Sequence, residues 1–400
     1  MEKDSKNIRD AQKALSPLEA KIRAANQARR DFLRVSTGRY ADELSQQIHL
    51  KQPKLTVGLD LGDRWSHYAI LNAQGEFIEE GRVATTVEAI QGKFGKLEPA
   101  LIAMETGTPA RWVSRQVREM GHLSVIAHAR ELRALTGSSN KSDKEDSRKL
   151  ARYARADVGI LKPVELRSDE AQKDLMVIQA RDGLVGARTK LVNMVRSLCK
   201  QFGARVKGGS PGRFPKLAQE SLPADLYQTL EPVVQAIDKL NEEITGYDKK
   251  IEELGKGKYR DSEVLRSVPR VGPICSLAYV LVMDDPARFK QSRDAGCYVG
   301  LRPGKDQSGE VDKQMGITKE GNGLMRRLLV QCAQQILSRR GEDCALRRWG
   351  LKIQARGGKR AKKIAVVAVA RKLAVLLCVL WSRQHKFVAF PQGQPEKAVA

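Results

Sequence analysis

The stretch LTVGLDLGDRWSHYAILNAQGEFIEEGRVATT, residues 55 to 86, carries the pattern from which the fold class is predicted. Its short apolar runs are separated by a Gly-Asp pair and a Gln-Gly pair, and such pairs favour tight turns between strands. The pattern therefore predicts three consecutive β-strands. The first of them ends on an acid, Asp60.

Helix and strand patterns alternate after this stretch. The helical segment VEAIQGKFGKL precedes the apolar run ALIAMETG, and the helical segment ARWVSRQVREMG precedes the apolar run LSVIAHA. Three strands followed by this alternation predict a mixed α/β sheet covered by helices. The ribonuclease H-like fold has this order of elements.

The rest of the chain is predicted to be mostly helical. Two long stretches between residues 166 and 258 have apolar residues at intervals of three and four, which fits an antiparallel coiled-coil arm or, equally well, an ordinary helical subdomain. Within the helical region that follows, KDQSGEVDK at 305–313 is predicted to be a surface turn. The predicted domains are a helical N-terminal extension at 1–50, the sheet domain at 51–165, the arm at 166–258, a further domain at 259–350, and a basic C-terminal helix and tail at 351–400.

The net charge of +24 at pH 7 points to a polyanionic partner. This excess is more than solubility requires and favours nucleic acid, although a merely basic soluble protein is the alternative. The six cysteines form no CxxC pair, so we expect reduced thiols in a cytosolic protein. No signal peptide is recognised, and the apolar segment 364–381 is interrupted by Arg371 and Lys372, so no membrane partner is expected.

Four acids stand where carboxylates can bind metal. Asp60 ends the first predicted strand, and Glu105 ends a strand that lies next to it in a ribonuclease H-like sheet. Asp143 and Asp146 are three residues apart at a predicted helix start and share one face. Acids in turns and in first helical turns are also common without any function. As an ordered set, they can hold two hard cations roughly 4 Å apart, an arrangement that cuts phosphodiesters.

Two other segments are candidates for contacts with nucleic-acid phosphates. SVPRVGPICSL has the form of a helix-hairpin-helix, in which Pro269 and Gly272 shape a turn whose amides can hold a phosphate. An ordinary turn between core helices is the alternative. GITKEGNGLMRRLL places Lys319, Arg326 and Arg327 near glycines at a helix start, and phosphate contacts of this kind position DNA without reading its sequence.

The aromatic residues are not predicted to bind bases. Aromatic residues make up 5% of the chain and are not interleaved with its basic runs, unlike those of stacking platforms. His67 is likewise predicted to be structural. The tryptophans predicted to be core or interface anchors are Trp65, Trp112, Trp349 and Trp381.

An ordered series of motifs spans roughly residues 55 to 385: VGLDLGDRWSHYAIL, METG, NKSDKEDSRKLA, VPRVGPICSLAYV, GLRPGKDQSG and GITKEGNGLMRRLL. This series resembles the bacterial insertion-sequence one-ten family of transposases, particularly its eleven-eleven branch. Those enzymes are DEDD recombinases, and several are guided by a structured bridge RNA. The resemblance implies that the four acids are the quartet of a RuvC-like domain that binds Mg²⁺ or Mn²⁺, and that Ser308 is the nucleophile of a transposase domain.

The chain departs from the family pattern at two positions. Arg270 stands where the family often has a glycine, which weakens the DNA-backbone interpretation of the hairpin. Glu310 follows Gly309 where the family often has a second glycine, and it puts an acid beside the phosphate that Ser308 would attack.

We therefore predict a DNA transposase or site-specific recombinase of the bacterial cytoplasm and nucleoid. Because the serine and the carboxylates are far apart in sequence, their site must be composite, and the resemblance implies that it forms between protomers of a dimer or tetramer. The predicted partners are double-stranded donor and target DNA and a guide RNA. Two alternatives are a RuvC-like nuclease that hydrolyses DNA directly while Ser308 is structural, and a nucleic-acid-binding protein with a degenerate site.

Overall fold

The structure is a computed structural model that describes residues 40, 42–128, 142–308 and 311–391. For residues 305–308 and 311–314 it describes only the backbone. Most of the predicted N-terminal extension therefore lies outside the described residues. The chain divides into two compact units, Met1–Leu166 and Arg167–Ala400.

The first unit contains the mixed sheet that the sequence predicts. The strands lie side by side in the order β3-β2-β1-β4-β5. Neighbours among β1, β2 and β3 are antiparallel, whereas β4 runs parallel to both β1 and β5. The strands are β1 (Leu55–Asp60), β2 (Trp65–Leu71), β3 (Phe77–Ala84), β4 (Ala100–Glu105) and β5 (Leu123–Ala127).

Helices cover both faces of this sheet. Alternate residues of a strand face opposite sides, and accordingly Ile102 and Met104 of β4 pack with the α2 and α3 side chains, whereas Leu101 and Ala103 pack with those of α1 and α4. Both faces are therefore buried. The helices are α1 (42–51), α2 (Val87–Phe94), α3 (Ala110–Glu119) and α4 (Asp143–Ala156).

The second unit is mostly helical. Its two 33-residue helices, α5 and α7, pack against each other, and its core forms around α9, α11 and α13. By length and composition α13 could cross a membrane, but 56% of its most apolar window is buried, as predicted for a core helix. The helices are α5 (Asp169–Gln201), α6 (Phe214–Ser221), α7 (Ala224–Lys256), α8 (Asp261–Leu265), α9 (Pro273–Met283), α10 (Asp294–Tyr298), α11 (Gly323–Ile336), α12 (Ala345–Gln354) and α13 (Ala361–Arg383).

A β-hairpin interrupts the helices of the second unit, where the sequence predicted only a surface turn. Strand β6 (Pro303–Ser308) pairs with β7 (Val311–Ile317), and Ser308 is the partner of Val311. The prediction was wrong because β6 has no apolar residue after Pro303, and because Lys313 interrupts the apolar alternation of Val311, Met315 and Ile317 in β7. At the base of the hairpin two segments cross closely: a Cβ on Gly300 would lie 1.9 Å from the Glu320 carbonyl oxygen.

Candidate active site

The ends of β1 and β4 place two acids side by side. In the parallel pairing of these strands Leu59 lies beside Met104, and the next residues, Asp60 and Glu105, end the two strands. Both side chains are half-buried. The structure therefore brings these two predicted carboxylates together at one edge of the sheet.

Helix α4 brings the other two acids, Asp143 and Asp146, to the same region. It packs onto β1 at Gly58, where an added Cβ would lie 2.0 Å from the Ser147 carbonyl oxygen and 2.5 Å from the Ala151 nitrogen. No side chain larger than hydrogen fits there unless the backbone moves. The glycine in VGLD therefore sets how closely the helix with two acids approaches the strand with a third.

Ion pairs with β3 fix the start of α4. The Arg148 guanidinium donates to both carboxylate oxygens of Glu80, with 2.9 Å from Nη2 to Oε2, and also to Glu145 at 2.9 Å. Lys144 lies 3.1 Å from the same Glu80 carboxylate. The hydrogen bond from Arg148 holds the pKa of Glu80 below its ordinary value. The helix turn that contains the acids is thereby held against both β1 and β3.

The four carboxylates act on one another electrostatically. The pKa of Asp60 is raised from 3.8 to about 6, first because burial disfavours the charged form, and then because Asp143, Asp146 and Glu105 repel its negative charge. These four acids, called here the acidic quartet, are the ones that the sequence singled out. Their mutual repulsion is relieved by a proton or by a cation.

His67 also lies in this region, although the sequence analysis considered it structural. It is the antiparallel partner of Asp60 on β2, and its Nδ1 lies 3.7 Å from Oδ2 of Asp143. The position depends on the register of the hairpin, in which six residues, 61–66, separate Asp60 from its strand partner His67. His67 was not predicted to lie beside the quartet, because residue type alone does not show which residues pair across two strands.

The quartet consists of side chains suited to binding a divalent cation, but they do not lie in the geometry of a metal site. Over the described residues, no three His, Cys, Asp or Glu side chains converge closely enough to hold a metal ion. The Asp143 side chain is 67% exposed, and Asp146 Oδ1 lies 4.0 Å from the Lys149 ammonium. Four carboxylates that repel one another are nevertheless a suitable donor set for a hard cation. Metal binding would draw these side chains closer together.

The predicted nucleophile is in the other unit. Ser308 ends β6, and its side chain is outside the description, as are Gly309 and Glu310. The structure thus assigns the serine and the quartet to different compact units, in agreement with their separation in sequence.

The predicted hairpin segment forms a tight turn before α9. Gly272 is the N-cap residue of α9 and is exposed, and Pro273 is its first residue. Arg270 has a φ of +68°, and its guanidinium donates to the Arg340 carbonyl oxygen. Arg270, Gly272 and Pro273 line a cavity of about 300 Å³. The left-handed backbone at Arg270 gives a physical reason for the glycine that the family often has here.

The basic residues around α11 have different surroundings. Lys319 is exposed and has a φ of +58°. The guanidinium of Arg326 donates to the carbonyl oxygens of Val299, at 3.0 Å, and Glu320, at 3.4 Å, so it supports the crossing at the hairpin base. Arg327 pairs with an aspartate of α5, Asp182, at 2.7 Å. Of the three, Lys319 is the one without such a contact in the described chain.

The four tryptophans differ in exposure. Trp381 is 5% exposed and donates from Nε1 to Asp261 at 2.8 Å, as expected of a core anchor. Trp65 is 48% exposed, so it is not part of the core. Of the two positions predicted for Trp65, a core anchor or an interface anchor, this exposure excludes only the core.

Comparison with known proteins places both units in one family. The family model DEDD_Tnp_IS110, described as "Transposase", matches residues 57–203, which include the whole quartet. The model described as "Transposase IS116/IS110/IS902 family" matches residues 262–349, which include Ser308. The chain belongs to the IS110 family of transposases. The resemblance found in the sequence is thus confirmed, and this IS110 transposase is an enzyme of DNA transposition.

Curated relatives of this transposase are bacterial. The transposase of element IS1111A from Coxiella burnetii is 28% identical over 62% of this chain and 69% of its own length. The transposase of IS1328 from Yersinia enterocolitica is 26% identical over 84% of this chain and 99% of its own. A probable family 20 transposase from Pseudomonas aeruginosa is 27% identical over 73% of this chain and 86% of its own length. A DEDD transposase domain implies the ribonuclease H-like fold, with which the five-stranded mixed sheet agrees, and such enzymes are typically dependent on divalent metal.

The strained turn before α9 leads to a prediction about stability. Arg270→Gly is expected to be more stable than Arg270→Ala by about 1 kcal/mol, because glycine adopts a left-handed φ without a steric penalty. Both variants lose the guanidinium contact with Arg340, so their difference isolates the backbone effect. Urea unfolding of the two variants measures it. Equal urea midpoints and equal slopes for the two variants would show that the backbone at residue 270 is unstrained.

Proposed function

We propose that this IS110 transposase cuts and exchanges DNA strands through its acidic quartet and Ser308, guided by a structured bridge RNA. The observation that carries the proposal is that Asp60 lies half-buried at the end of a strand of the ribonuclease H-like sheet, near three other carboxylates. Burial first, and then repulsion by those carboxylates, raises its pKa to about 6. A cluster of acids that destabilise one another is typical of a functional site.

The quartet would hold the divalent metal, Mg²⁺ or Mn²⁺. Asp60 and Glu105 extend from rigid strand ends and Asp146 from the first turn of α4, so these three suit the role of fixed ligands. Asp143 is the most exposed and faces His67, which suits a ligand that turns inward when DNA binds. When bound, the metal would polarise the phosphate to be cut.

Ser308 would supply covalent catalysis. Its Oγ would attack the phosphorus and lose its proton, while the phosphodiester bond to the leaving strand breaks and that strand departs with a free hydroxyl end. Attack by the hydroxyl end of another strand on the phosphoserine would then join the new strand and restore the serine. Bond energy is kept throughout, whereas a hydrolytic nuclease would lose it to water.

Assembly of protomers would complete the site. Quartet and serine belong to separate compact units, and the family resemblance implies that they meet between protomers of a dimer or tetramer. On α5, Met194 and Leu198 are exposed, and Phe202 after the helix is 74% exposed, so apolar side chains recur every four residues along one side. Such a stripe supports the coiled-coil arm proposed for residues 166–258.

Several basic features would hold the nucleic acids. The net charge of +24 favours binding of both DNA and RNA. The turn with Pro269, Arg270 and Gly272 resembles a helix-hairpin-helix and would contact a DNA backbone, and exposed Lys319 would contact another phosphate. Arg326 and Arg327 would join them only if their contacts within the protein rearranged. We assign the RuvC-like domain to residues 51–165 and the transposase domain to residues 259–350.

A covalent adduct tests the serine mechanism. The wild-type transposase is expected to become linked to nicked DNA that contains the flanks of its gene, in the presence of RNA transcribed from the noncoding flank and Mg²⁺. The nick lets the short leaving strand diffuse away. Its hydroxyl end can then no longer attack the phosphoserine and reverse the reaction. A denaturing gel detects the adduct, and Ser308→Ala is expected to abolish it because the attacking oxygen is gone.

Ser338→Ala is the matched control for this experiment. Ser338 is an exposed serine of the same unit whose hydroxyl donates to the Gln335 carbonyl oxygen at 2.8 Å. That variant should form the adduct normally. An undiminished adduct from Ser308→Ala would assign the nucleophile to another residue. Cleavage by Ser308→Ala to free ends would instead favour a RuvC-like nuclease that uses the quartet alone.

A further inference from the structure

An exposed tryptophan stands beside the acidic quartet. Trp65 begins β2, two residues before His67, and His67 is the strand partner of Asp60. Side chains two residues apart on a strand lie on the same face, and so do those of directly paired residues. Trp65, His67 and Asp60 therefore share the face of the sheet on which α4 brings Asp143 and Asp146.

An arginine lies stacked against this tryptophan. The Arg82 guanidinium carbon is 4.7 Å from the centre of the Trp65 ring, and Arg82 is the β3 partner of His67. Arg82 is exposed, and within the described part of the chain no acid forms an ion pair with it. The indole is still 48% exposed. An accessible aromatic surface thus adjoins a positive charge that has no ion-pair partner among the described residues.

The backbone that presents Trp65 is tightly built. Gly62 allows the turn before β2, since a Cβ there would lie 2.1 Å from the Trp65 carbonyl oxygen. Thr85 closes the turn: its hydroxyl donates to the Gly62 carbonyl oxygen at 3.0 Å, and its backbone N–H donates to the Arg64 carbonyl oxygen at 2.9 Å. Ser66 is also within hydrogen-bond distance of the Thr85 hydroxyl, at 2.8 Å. The backbone at Trp65 is therefore held in place by the turn before any partner binds.

We propose that Trp65 and Arg82 form a nucleobase platform that stacks on a base of the DNA strand next to the phosphate cut at the quartet. A flat aromatic ring offers stacking to any base, and the adjacent guanidinium can contact the phosphate of the same nucleotide. A membrane or an apolar protein surface would not match the pair, because Arg82 would be buried with its charge unpaired. The platform positions the DNA strand. Its location next to the phosphate that is cut rests on the proposed role of the quartet.

Strand binding without cleavage tests the platform. Fluorescence polarisation in EDTA would compare a labelled twelve-residue thymidine strand with an abasic strand of the same length and charge. Trp65→Ala is expected to weaken binding of the thymidine strand roughly tenfold and to leave that of the abasic strand unchanged, because stacking needs a base. Trp65→Phe should retain most of the preference. Arg82→Ala should weaken binding of both strands, because both have phosphates.

Phe390→Ala is the matched control, because it removes from the other unit an aromatic ring that is 44% exposed and has an arginine, Arg348, stacked against it at 4.6 Å. It should not change the preference for bases. A second readout is photocrosslinking of a 5-iodouracil strand, which should label the peptide that contains Trp65. A base preference that survives in Trp65→Ala, or crosslinks elsewhere only, would overturn the platform. Neither assay involves cleavage or Ser308, so loss of the adduct with an intact base preference would reject the serine mechanism alone.

Discussion

Replacing Asp60 with Asn is expected to abolish strand cleavage and to make the metal-free transposase more stable at neutral pH. Cleavage is lost because an amide is a poor ligand for a hard cation. Stability rises because the replacement removes a charge that burial and the three neighbouring carboxylates disfavour. A gain in stability together with a loss of activity is typical of a functional residue held in an unfavourable environment.

The pKa of Asp60 determines the sign of the pH dependence. It is raised from 3.8 to about 6, so the folded protein binds this proton more tightly than the unfolded chain does. The resulting stabilisation is fully present below about pH 4 and is lost as the pH rises to about 6. A shift of this size corresponds to about 3 kcal/mol, which solvent screening of the half-buried group reduces to about 1–2 kcal/mol. Asp60→Asn should lack this decline.

Urea unfolding at several pH values, in EDTA and with Mg²⁺ or Mn²⁺, measures the effect. The wild-type transposase should gain stability from the metal, and Asp60→Asn should gain much less because the site has lost a ligand. Asp63→Asn is the matched control, since Asp63 is an exposed acid three residues further along. Wild-type cleavage by Asp60→Asn, or the same pH profile in both proteins, would refute the assignment.

Gly58→Ala is expected to destabilise the first unit by about 3 kcal/mol and to abolish cleavage even though no carboxylate is altered. The new methyl group would lie 2.0 Å from the Ser147 carbonyl oxygen, and backbone atoms cannot rotate away as a side chain can. Helix α4 would have to move off β1. Asp143 and Asp146 would then move away from Asp60.

The chain offers a matched control, Gly92→Ala. Gly92 is exposed within α2, and a Cβ there would meet nothing within 4 Å. Alanine favours a helix more than glycine does, so this variant should be more stable by about 0.5–1 kcal/mol and should cleave normally. Urea unfolding and a cleavage assay compare the two variants. Gly58→Ala with wild-type stability would show that α4 does not depend on this close approach.

Local sequence patterns were enough to predict the sheet domain and to single out four of its acids. Apolar runs of strand length separated by glycine turns or by helical segments are local signals, and they predicted the five strands along the chain. Asp60 and Glu105 were found because an acid directly after such a run must lie at a strand end. The family motifs predicted a transposase domain at 259–350, where local patterns predicted only helices and a surface turn, and a family model matches residues 262–349.

The surroundings of those acids could not be predicted in this way, because they depend on tertiary contacts. The neighbourhood of His67 depends on strand pairing, and the need for glycine at residue 58 depends on a helix almost 90 residues further along the chain. The hairpin whose first strand ends at Ser308 has one polar strand and one whose apolar alternation is interrupted by Lys313, and its base depends on the crossing at Gly300. Trp65 and Arg82 meet across β2 and β3, which no local pattern specifies. In each case the deciding contact joins residues distant in sequence, and composition and periodicity report only on neighbours along the chain.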